Sequence, residues 1–171
     1  MDVVTPMLLS VFPALLIAAA LRDVGTMTIP NWVSAALIVG FFPTALAVGL
    51  SPLEVAVHLG AGIAALAVGA GLFAARLFGG GDVKVIAAAC LWLGFAGAAP
   101  FLLWTAVAGG AFALTLMLVR SQLSPYAAAA PGWMGRLLTP KGDVPYGVAI
   151  AAGALAAYPD SALVRAFTGV F

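Results

Sequence analysis

Residues 3–21, VVTPMLLSVFPALLIAAAL, form an apolar run that contains no charged side chain. About 20 helical residues span the hydrocarbon core of a bilayer, so this run is long enough to cross a membrane. A cleavable signal peptide begins with a basic region, whereas Asp2 is the only charge before this run. We therefore interpret the run as the first membrane helix.

Composition extends this interpretation to the rest of the chain. Of the 171 residues, 64% are hydrophobic and only 8% are charged, against about 25% charged residues in soluble domains. Too few charges remain to cover a water-facing surface, which excludes a soluble secreted protein and a disordered chain. Five further apolar segments follow the first, near residues 31–50, 54–77, 83–98, 100–120 and 145–168.

These six segments predict the fold class. Backbone groups in lipid must be hydrogen-bonded within the protein, so only helices and closed barrels span a membrane. The apolar runs are continuous rather than alternating, which favours helices. We predict an all-α, polytopic membrane bundle of about six transmembrane helices, in a single integral membrane domain over residues 1–171.

Basic residues indicate the orientation of the bundle. Six of the seven fall in the first, third and fifth loops between the predicted helices, namely Arg22, Arg76, Lys84, Arg120, Arg136 and Lys141. The positive-inside rule then places these loops in the cytoplasm and both termini outside. Within the long fifth loop, residues 132–138 are either a short amphipathic segment at the membrane interface, with Trp133 at headgroup depth, or an ordinary surface loop.

Several function classes are disfavoured by the same composition. The net charge of +1 gives no basic footprint for nucleic acid. Cys90 is the only cysteine, so we expect a packed thiol rather than a disulfide or a thiolate zinc site. Glu54 begins the third helix, where an acid is favoured, and His58 lies one turn later; we expect a satisfied polar contact for His58 and no metal site.

The remaining acidic residues are aspartates, and three of them are candidates for acid–base chemistry. Asp2 and Asp160 are expected at the outer face, whereas Asp23, Asp82 and Asp143 each belong to a different cytoplasmic loop. Asp82 and Asp143 precede helices, so capping would explain both of them. Asp23 directly follows the first helix, where the dipole disfavours a negative charge, and it lies too far before the next helix to cap it.

Three glycines, residues 79–81, stand immediately before Asp82. Glycine leaves room for the close approach of another backbone, which a peptide substrate needs, although a flexible turn would also use it. Two adjacent carboxyl groups share a proton, so the ionised one takes a proton from water while the protonated one donates to the scissile carbonyl. Such a pair needs no metal or cofactor, and it titrates as a unit.

Three stretches of the chain match the motifs of one family. They are Asp23 with the I-P-N of residues 29–31, the G-G-G-D-V-K of residues 79–84, and the P-Y-G-V-A-I-A of residues 145–151. The chain resembles the bacterial prepilin peptidases, a family of aspartic G-x-G-D proteases, in the small form that accompanies Flp-type (tight-adherence) pili. The resemblance implies an endopeptidase that removes the short basic leader from prepilins at the cytoplasmic face of the inner membrane, after a glycine that precedes the hydrophobic helix of the pilin.

The resemblance also implies roles for residues. Asp23 and Asp82 match the catalytic aspartates, while the other matched positions bind substrate or shape the motif backbone: Gly79, Gly81, Lys84, Pro145, Tyr146 and Gly147. Lys84 is interpreted either as a positive-inside anchor or as a contact to an acidic residue of the pilin. Asp143 lies outside the catalytic pair, and we expect it to cap the last helix. The implied partners are a prepilin and membrane lipid, without a cofactor.

The chain departs from the family pattern in two places. Members often carry basic residues just after the first aspartate, where this chain has Gly25 and Met27. Larger members carry a cysteine-bearing insert with N-methyltransferase activity, for which this chain has no room, so we predict a peptidase without zinc or methyl transfer.

Two alternatives stay open. A presenilin-like or signal-peptide-peptidase-like protease would place both aspartates within membrane helices. A small transporter or assembly factor would use its acids to bind protons or ions, in sites that usually lie near the bilayer midplane on broken helices.

Overall fold

The computed structural model describes residues 3–127, 129–140 and 142–169. Asp2 and Lys141, which the sequence analysis assigned to opposite membrane faces, lie outside the described residues. The described part contains seven α-helices, two 3₁₀ turns (Ser124–Tyr126 and Tyr158–Asp160) and no strand. The helices are α1 Val4–Thr26, α2 Asn31–Ala47, α3 Pro52–Ala74, α4 Gly80–Leu123, α5 Gly132–Leu138, α6 Gly147–Ala157 and α7 Ala162–Thr168.

Helix α4 is two helical arms joined at Gly94. This glycine has φ 65° and ψ −178°, a conformation outside the helical region that glycine adopts without steric cost. The first arm, 80–93, begins beside Gly69, which contacts Val83, and ends where Gly94 meets His58. The second arm, 95–123, then returns antiparallel to the first. Sequence analysis predicted the break near residue 99, but the reversal needs a positive φ and therefore falls at Gly94.

The segments alternate in direction through the bundle. Asp23 of α1 meets Gly147 at one end of α6, whereas the Leu9 carbonyl meets Tyr158 at the other end. The second arm of α4 is also antiparallel to α6, because Gly109 contacts Tyr146 while Thr105 contacts Gly153. The first, third and fifth loops consequently lie at one end of the bundle, called here the aspartate end. Their common location confirms the alternation that the charges predicted.

The helices have the length and apolar composition of a multi-pass membrane protein. Within the described part of the chain, four helical stretches are long and apolar enough to cross a bilayer: Val4–Thr26, Pro52–Ala74, Gly80–Tyr126 and Gly147–Thr168. The shorter helix Asn31–Ala47 is also apolar. Since Gly80–Tyr126 contains both arms of α4, the six predicted apolar segments are all present as helices. The all-α membrane bundle is confirmed.

Aromatic side chains fix the bundle at the end opposite the aspartates. The ring of Phe12 lies 5.1 Å from that of Trp92 and 4.6 Å from that of Tyr158, measured between centroids. The Trp92 indole N–H donates to the Leu37 carbonyl, and the Tyr158 hydroxyl donates to the Leu9 carbonyl, each over 2.8 Å. These bonds satisfy the polar atoms of buried aromatic rings, so the core joins α1, α2, α4 and α6.

Two predictions for isolated polar residues are confirmed. Ser51 and Glu54 form a reciprocal capping box at the start of α3, which satisfies two orphan donors of the helix. The buried His58 pairs through Nδ1 with the Leu91 carbonyl at 2.7 Å. The Cys90 thiol is buried in the core, as expected for a packed cysteine.

One predicted segment is divided in the structure. The last predicted segment, 145–168, is interrupted by the 3₁₀ turn that contains Pro159, so it becomes α6 and α7. Proline removes a backbone donor and fixes φ, which explains the interruption. In the fifth loop, residues 132–138 form the helix α5 with Trp133 exposed, and a location of this helix at the membrane interface stays a prediction.

Candidate active site

A cavity of about 620 Å³ opens at the aspartate end of the bundle. Its lining comes from the end of α1 and the loop after it, from the segment around the start of α4, and from the segment between α5 and α6, called here the strap. The lining residues are Asp23, residues 27–29, residues 77–82 and residues 143–146. All three motif stretches identified in the sequence therefore meet around one cavity.

Asp23 is held on this cavity by a different helix from its own. Its side chain is only 5% exposed, and Oδ2 accepts a hydrogen bond from the Gly147 backbone N–H over 2.7 Å. Gly147 is the first residue of α6, where N–H groups lack helical partners and the dipole favours a negative charge. The Asp23 carboxylate thus caps α6.

The predicted environment of Asp23 was wrong in one respect. Helix α1 continues to Thr26, so Asp23 lies within its last turn instead of directly after it. Asp23 lies too far before α2, the next helix along the chain, to cap it, and no other helix was expected near its side chain. The helix that Asp23 does cap begins 124 positions later, and no local pattern indicates that pairing.

Asp82 was predicted to precede the fourth helix, but it occupies the first turn of α4. The N-cap residue is Gly79, and the Asp82 carboxylate turns back to accept a hydrogen bond from the Gly79 backbone N–H. The side chain remains partly exposed to the cavity. Asp82 and Asp23 line the same cavity, so the structure brings the two predicted catalytic residues to one site.

The motif glycines make these positions sterically possible. A Cβ atom on Gly79 would lie 2.8 Å from Asp82 Oδ2, and a Cβ atom on Gly147 would lie 2.9 Å from Asp23 Oδ2. A Cβ atom on Gly81 would lie 3.3 Å from the Ile29 Cβ, where the loop after α1 packs against the start of α4. Each glycine therefore permits a close approach that any side chain would obstruct.

Lys84 joins two of the motif stretches without entering the cavity. Its Nζ donates to the Asn31 side-chain oxygen over 2.8 Å. Asn31 is the first residue of α2, so this bond ties α2 to the first arm of α4 beside the cavity. A contact of Lys84 with an acidic substrate residue stays a prediction.

Asp143 does not cap α6, contrary to the prediction. Helix α6 begins at Gly147 with Tyr146 in the N-cap position, and no side chain of that cap accepts a hydrogen bond. Asp143 instead lines the cavity. Its place at the helix terminus is taken by Asp23, which approaches from α1.

Arg120 holds the segment that carries Asp143. From the last turn of α4, its guanidinium donates to three carbonyl groups over 2.7 to 2.8 Å, those of Leu137, Gly142 and Asp143. Arg136 of α5 donates to the Gly25 carbonyl at the end of α1. In the sequence, both arginines indicated only the orientation of the bundle, because the carbonyls that they bind come from segments distant in the chain.

The sequence of this chain was compared with protein families, with curated proteins and with solved structures. The model of the type IV leader peptidase family matches residues 10–114, which include Asp23, Asp82 and the G-G-G-D stretch. The chain belongs to the type IV leader peptidase family. Comparisons with curated proteins and with solved structures found no significant match.

Membership in the leader peptidase family decides between the open alternatives. Both aspartates of this leader peptidase lie in terminal turns of helices, so helical location alone does not separate it from presenilin-like proteases. The family match does, and it also identifies a peptidase instead of a transporter. The match ends at residue 114, so Asp143 and the P-Y-G stretch of this leader peptidase lie beyond it.

The charge of the cavity suits a polar, cationic ligand. Asp23, Asp82 and Asp143 are the only charged side chains among the described residues that line it. Two carboxyl groups that face one cavity provide both an acid and a base for hydrolysis, without a further group.

Proposed function

We propose that this leader peptidase is an aspartic endopeptidase and that Asp23 and Asp82 are its catalytic pair. One observation carries the proposal: carboxyl groups from two different helices line the same cavity. Each is also oriented by a backbone N–H, from Gly147 and Gly79 respectively. Such preorganisation is what general acid–base catalysis requires of its groups.

The mechanism needs one proton shared between the two carboxyl groups. The ionised group takes a proton from a water molecule, and that water attacks the scissile carbonyl carbon. The protonated group donates its proton to the carbonyl oxygen, and the resulting tetrahedral intermediate collapses when the amide nitrogen is protonated and leaves. Because the pair titrates as a unit, either aspartate serves as the acid in this scheme.

We infer that the substrate is a prepilin of the Flp type and that its short basic leader is removed at the cytoplasmic face of the inner membrane. The resemblance of the motif stretches to small prepilin peptidases supports this substrate. The three carboxylates of the cavity complement a basic leader. The concentration of basic residues at the aspartate end supports the cytoplasmic orientation.

The test is cleavage of a Flp-type prepilin in membranes by wild type, Asp23→Asn and Asp82→Asn, with EDTA in a parallel series. We expect each substitution to lower the rate by at least about 10²-fold, because acid–base groups contribute about 10²–10⁴. EDTA should have no effect. Asp160→Asn, at the opposite end of the bundle, is the matched control and should cleave normally.

Prepilin binding by the two aspartate variants separates lost chemistry from lost folding. Retained binding with lost cleavage is the expected result. Normal cleavage by either variant, or inhibition by the chelator alone, would reject the aspartate pair.

A further inference from the structure

A second, apolar depression adjoins the cavity of the aspartates. This groove, of about 310 Å³, lies between α3 and the two arms of α4. Phe78 lines both the cavity and the groove, and Val83, which follows Asp82 in the chain, lines the groove. The two spaces therefore adjoin at Phe78, near the start of α4 and beside the proposed catalytic pair.

The groove has the chemistry of a site for an apolar helix. Every residue that lines it is apolar or glycine. Its wall on α3 extends from Leu72 to Ala61, a distance of roughly 16 Å at the helical rise of about 1.5 Å per residue. Small residues form much of this wall, namely Ala61, Ala64, Ala65 and Gly69. In a bilayer, small residues allow two helices to approach closely and to gain packing energy.

The cavity and the groove differ sharply in charge. The cavity carries three carboxylates, whereas the groove carries no charged side chain among the residues that line it. A ligand that fills both spaces must join a polar, cationic stretch directly to an apolar one. The junction between the two stretches would then lie next to Phe78 and Asp82, where the proposed reaction takes place.

We propose that this groove binds the hydrophobic helix of the prepilin, on the C-terminal side of the scissile bond, while the basic leader lies in the cavity. The proposal rests on the function proposed above and adds the place where the rest of the substrate docks. The complementary charge of the cavity orients the substrate, and the groove fixes the depth at which its helix enters.

Another apolar groove provides the contrast. It lies between α2, α3 and the first arm of α4 and is lined in part by Ile38, Ile63 and Leu66. None of its lining residues lines the cavity. Its lining also includes the polar side chains of Asn31, Ser34 and Lys84, so it suits an apolar helix less well than the first groove does.

The test fills the groove from its exposed wall. Ala64 is exposed and lines the groove, whereas Ala67 is exposed on the same helix and lines neither groove. The substrates are a full-length prepilin and a short peptide that spans the cleavage site but lacks the hydrophobic helix. For Ala64→Phe, we expect the ratio of kcat/KM for prepilin to that for peptide to fall about tenfold, mostly through KM. Ala67→Phe should leave this ratio at the wild-type value.

The two proposals fail in different ways. If the wild type cuts neither substrate, the proposed function fails. If both substrates are cut but Ala64→Phe and Ala67→Phe give the same ratio, the groove is not the docking site.

A photo-crosslinking residue at position 64 or 67 gives an independent result. Capture of prepilin from position 64 and not from position 67 is expected. Capture of lipid alone from position 64 would overturn the proposal.

Discussion

At the residue scale, each candidate catalytic carboxylate is paired with a glycine. Gly147 N–H donates to Asp23, and Gly79 N–H donates to Asp82. At both glycines, an added Cβ would lie within 3 Å of the carboxylate that the N–H holds, at 2.9 and 2.8 Å. At Gly147 the added atom would also meet the Asp23 Cβ, which gives a physical reason for glycine at that motif position, whereas at Gly79 it would meet only the end of the Asp82 side chain.

Substitution of Gly147, the glycine of the P-Y-G stretch, tests whether the Asp23 carboxylate needs this close contact. Gly147→Ala should displace the Asp23 carboxylate, since the new Cβ would overlap both its Oδ2 and its Cβ. We expect prepilin cleavage to fall about 10²-fold, because a misplacement of about 1 Å costs roughly that factor.

The control is Gly25→Ala, in the last turn of α1 close to Asp23, where an added Cβ meets nothing within 4 Å. This variant should cleave at the wild-type rate. A Gly147→Ala enzyme that cleaves as fast as the control would show that Asp23 does not need its cap on α6.

At the element scale, the second arm of α4 positions the strap before α6. Arg120, in its last turn, donates to carbonyls on both sides of residue 140. The strap continues through Asp143 and Tyr146, which line the cavity, to Gly147, which holds Asp23. Arg120 touches neither Asp23 nor Asp82, so we regard it as a positioning residue.

Arg120→Lys tests this role while the positive charge is kept. A lysine ammonium has no planar fork and cannot reproduce three directed bonds. We expect kcat for prepilin to fall about tenfold or more while KM changes little, because the substitution misplaces groups of the proposed catalytic site. Arg165→Lys, on α7 at the opposite end, is the matched control.

Thermal unfolding of both arginine variants completes the experiment. Equal midpoints for Arg120→Lys and the wild type, with a reduced kcat, are the expected combination. A kcat equal to that of Arg165→Lys would exclude a positioning role for Arg120.

At the scale of the whole molecule, the reversal at Gly94 sets the alternation of the helices. Without it, α4 would be one continuous helix, and the second arm would not return to the aspartate end with Arg120. The site therefore depends on a turn that lies near the opposite end of the bundle. Gly94 also packs against His58, with 3.1 Å between its Cβ position and the imidazole Cε1.

Gly94→Ala should lower the stability of the bundle. Alanine is strained at φ 65°, and its methyl group would press on the buried His58 ring. We expect a loss of ~1 kcal/mol or more in the free energy of unfolding, measured by thermal unfolding in detergent. Gly71→Ala, in α3 with open space around the Cβ position, should be neutral or slightly stabilising. Equal midpoints for the two variants would contradict this account of the reversal.

The composition and order of the residues determined the class of the protein. Hydropathy requires membrane helices because lipid cannot satisfy an open backbone, and six apolar segments were indeed found. The distribution of basic residues predicted which loops share one end of the bundle, and the motif stretches indicated the peptidase family. These features are local, since each depends on the composition of a segment or on neighbours in the chain.

The contacts at the site were decided only by the tertiary structure. Sequence reasoning selected Asp23 and Asp82, but it misjudged Asp143 as the cap of α6 and had no means to find the bond from Gly147 to Asp23. Their separation of 124 positions leaves no trace in local periodicity. The packing of α1 against α6 creates that bond, because it places a carboxylate against the unsatisfied N–H groups that begin a helix.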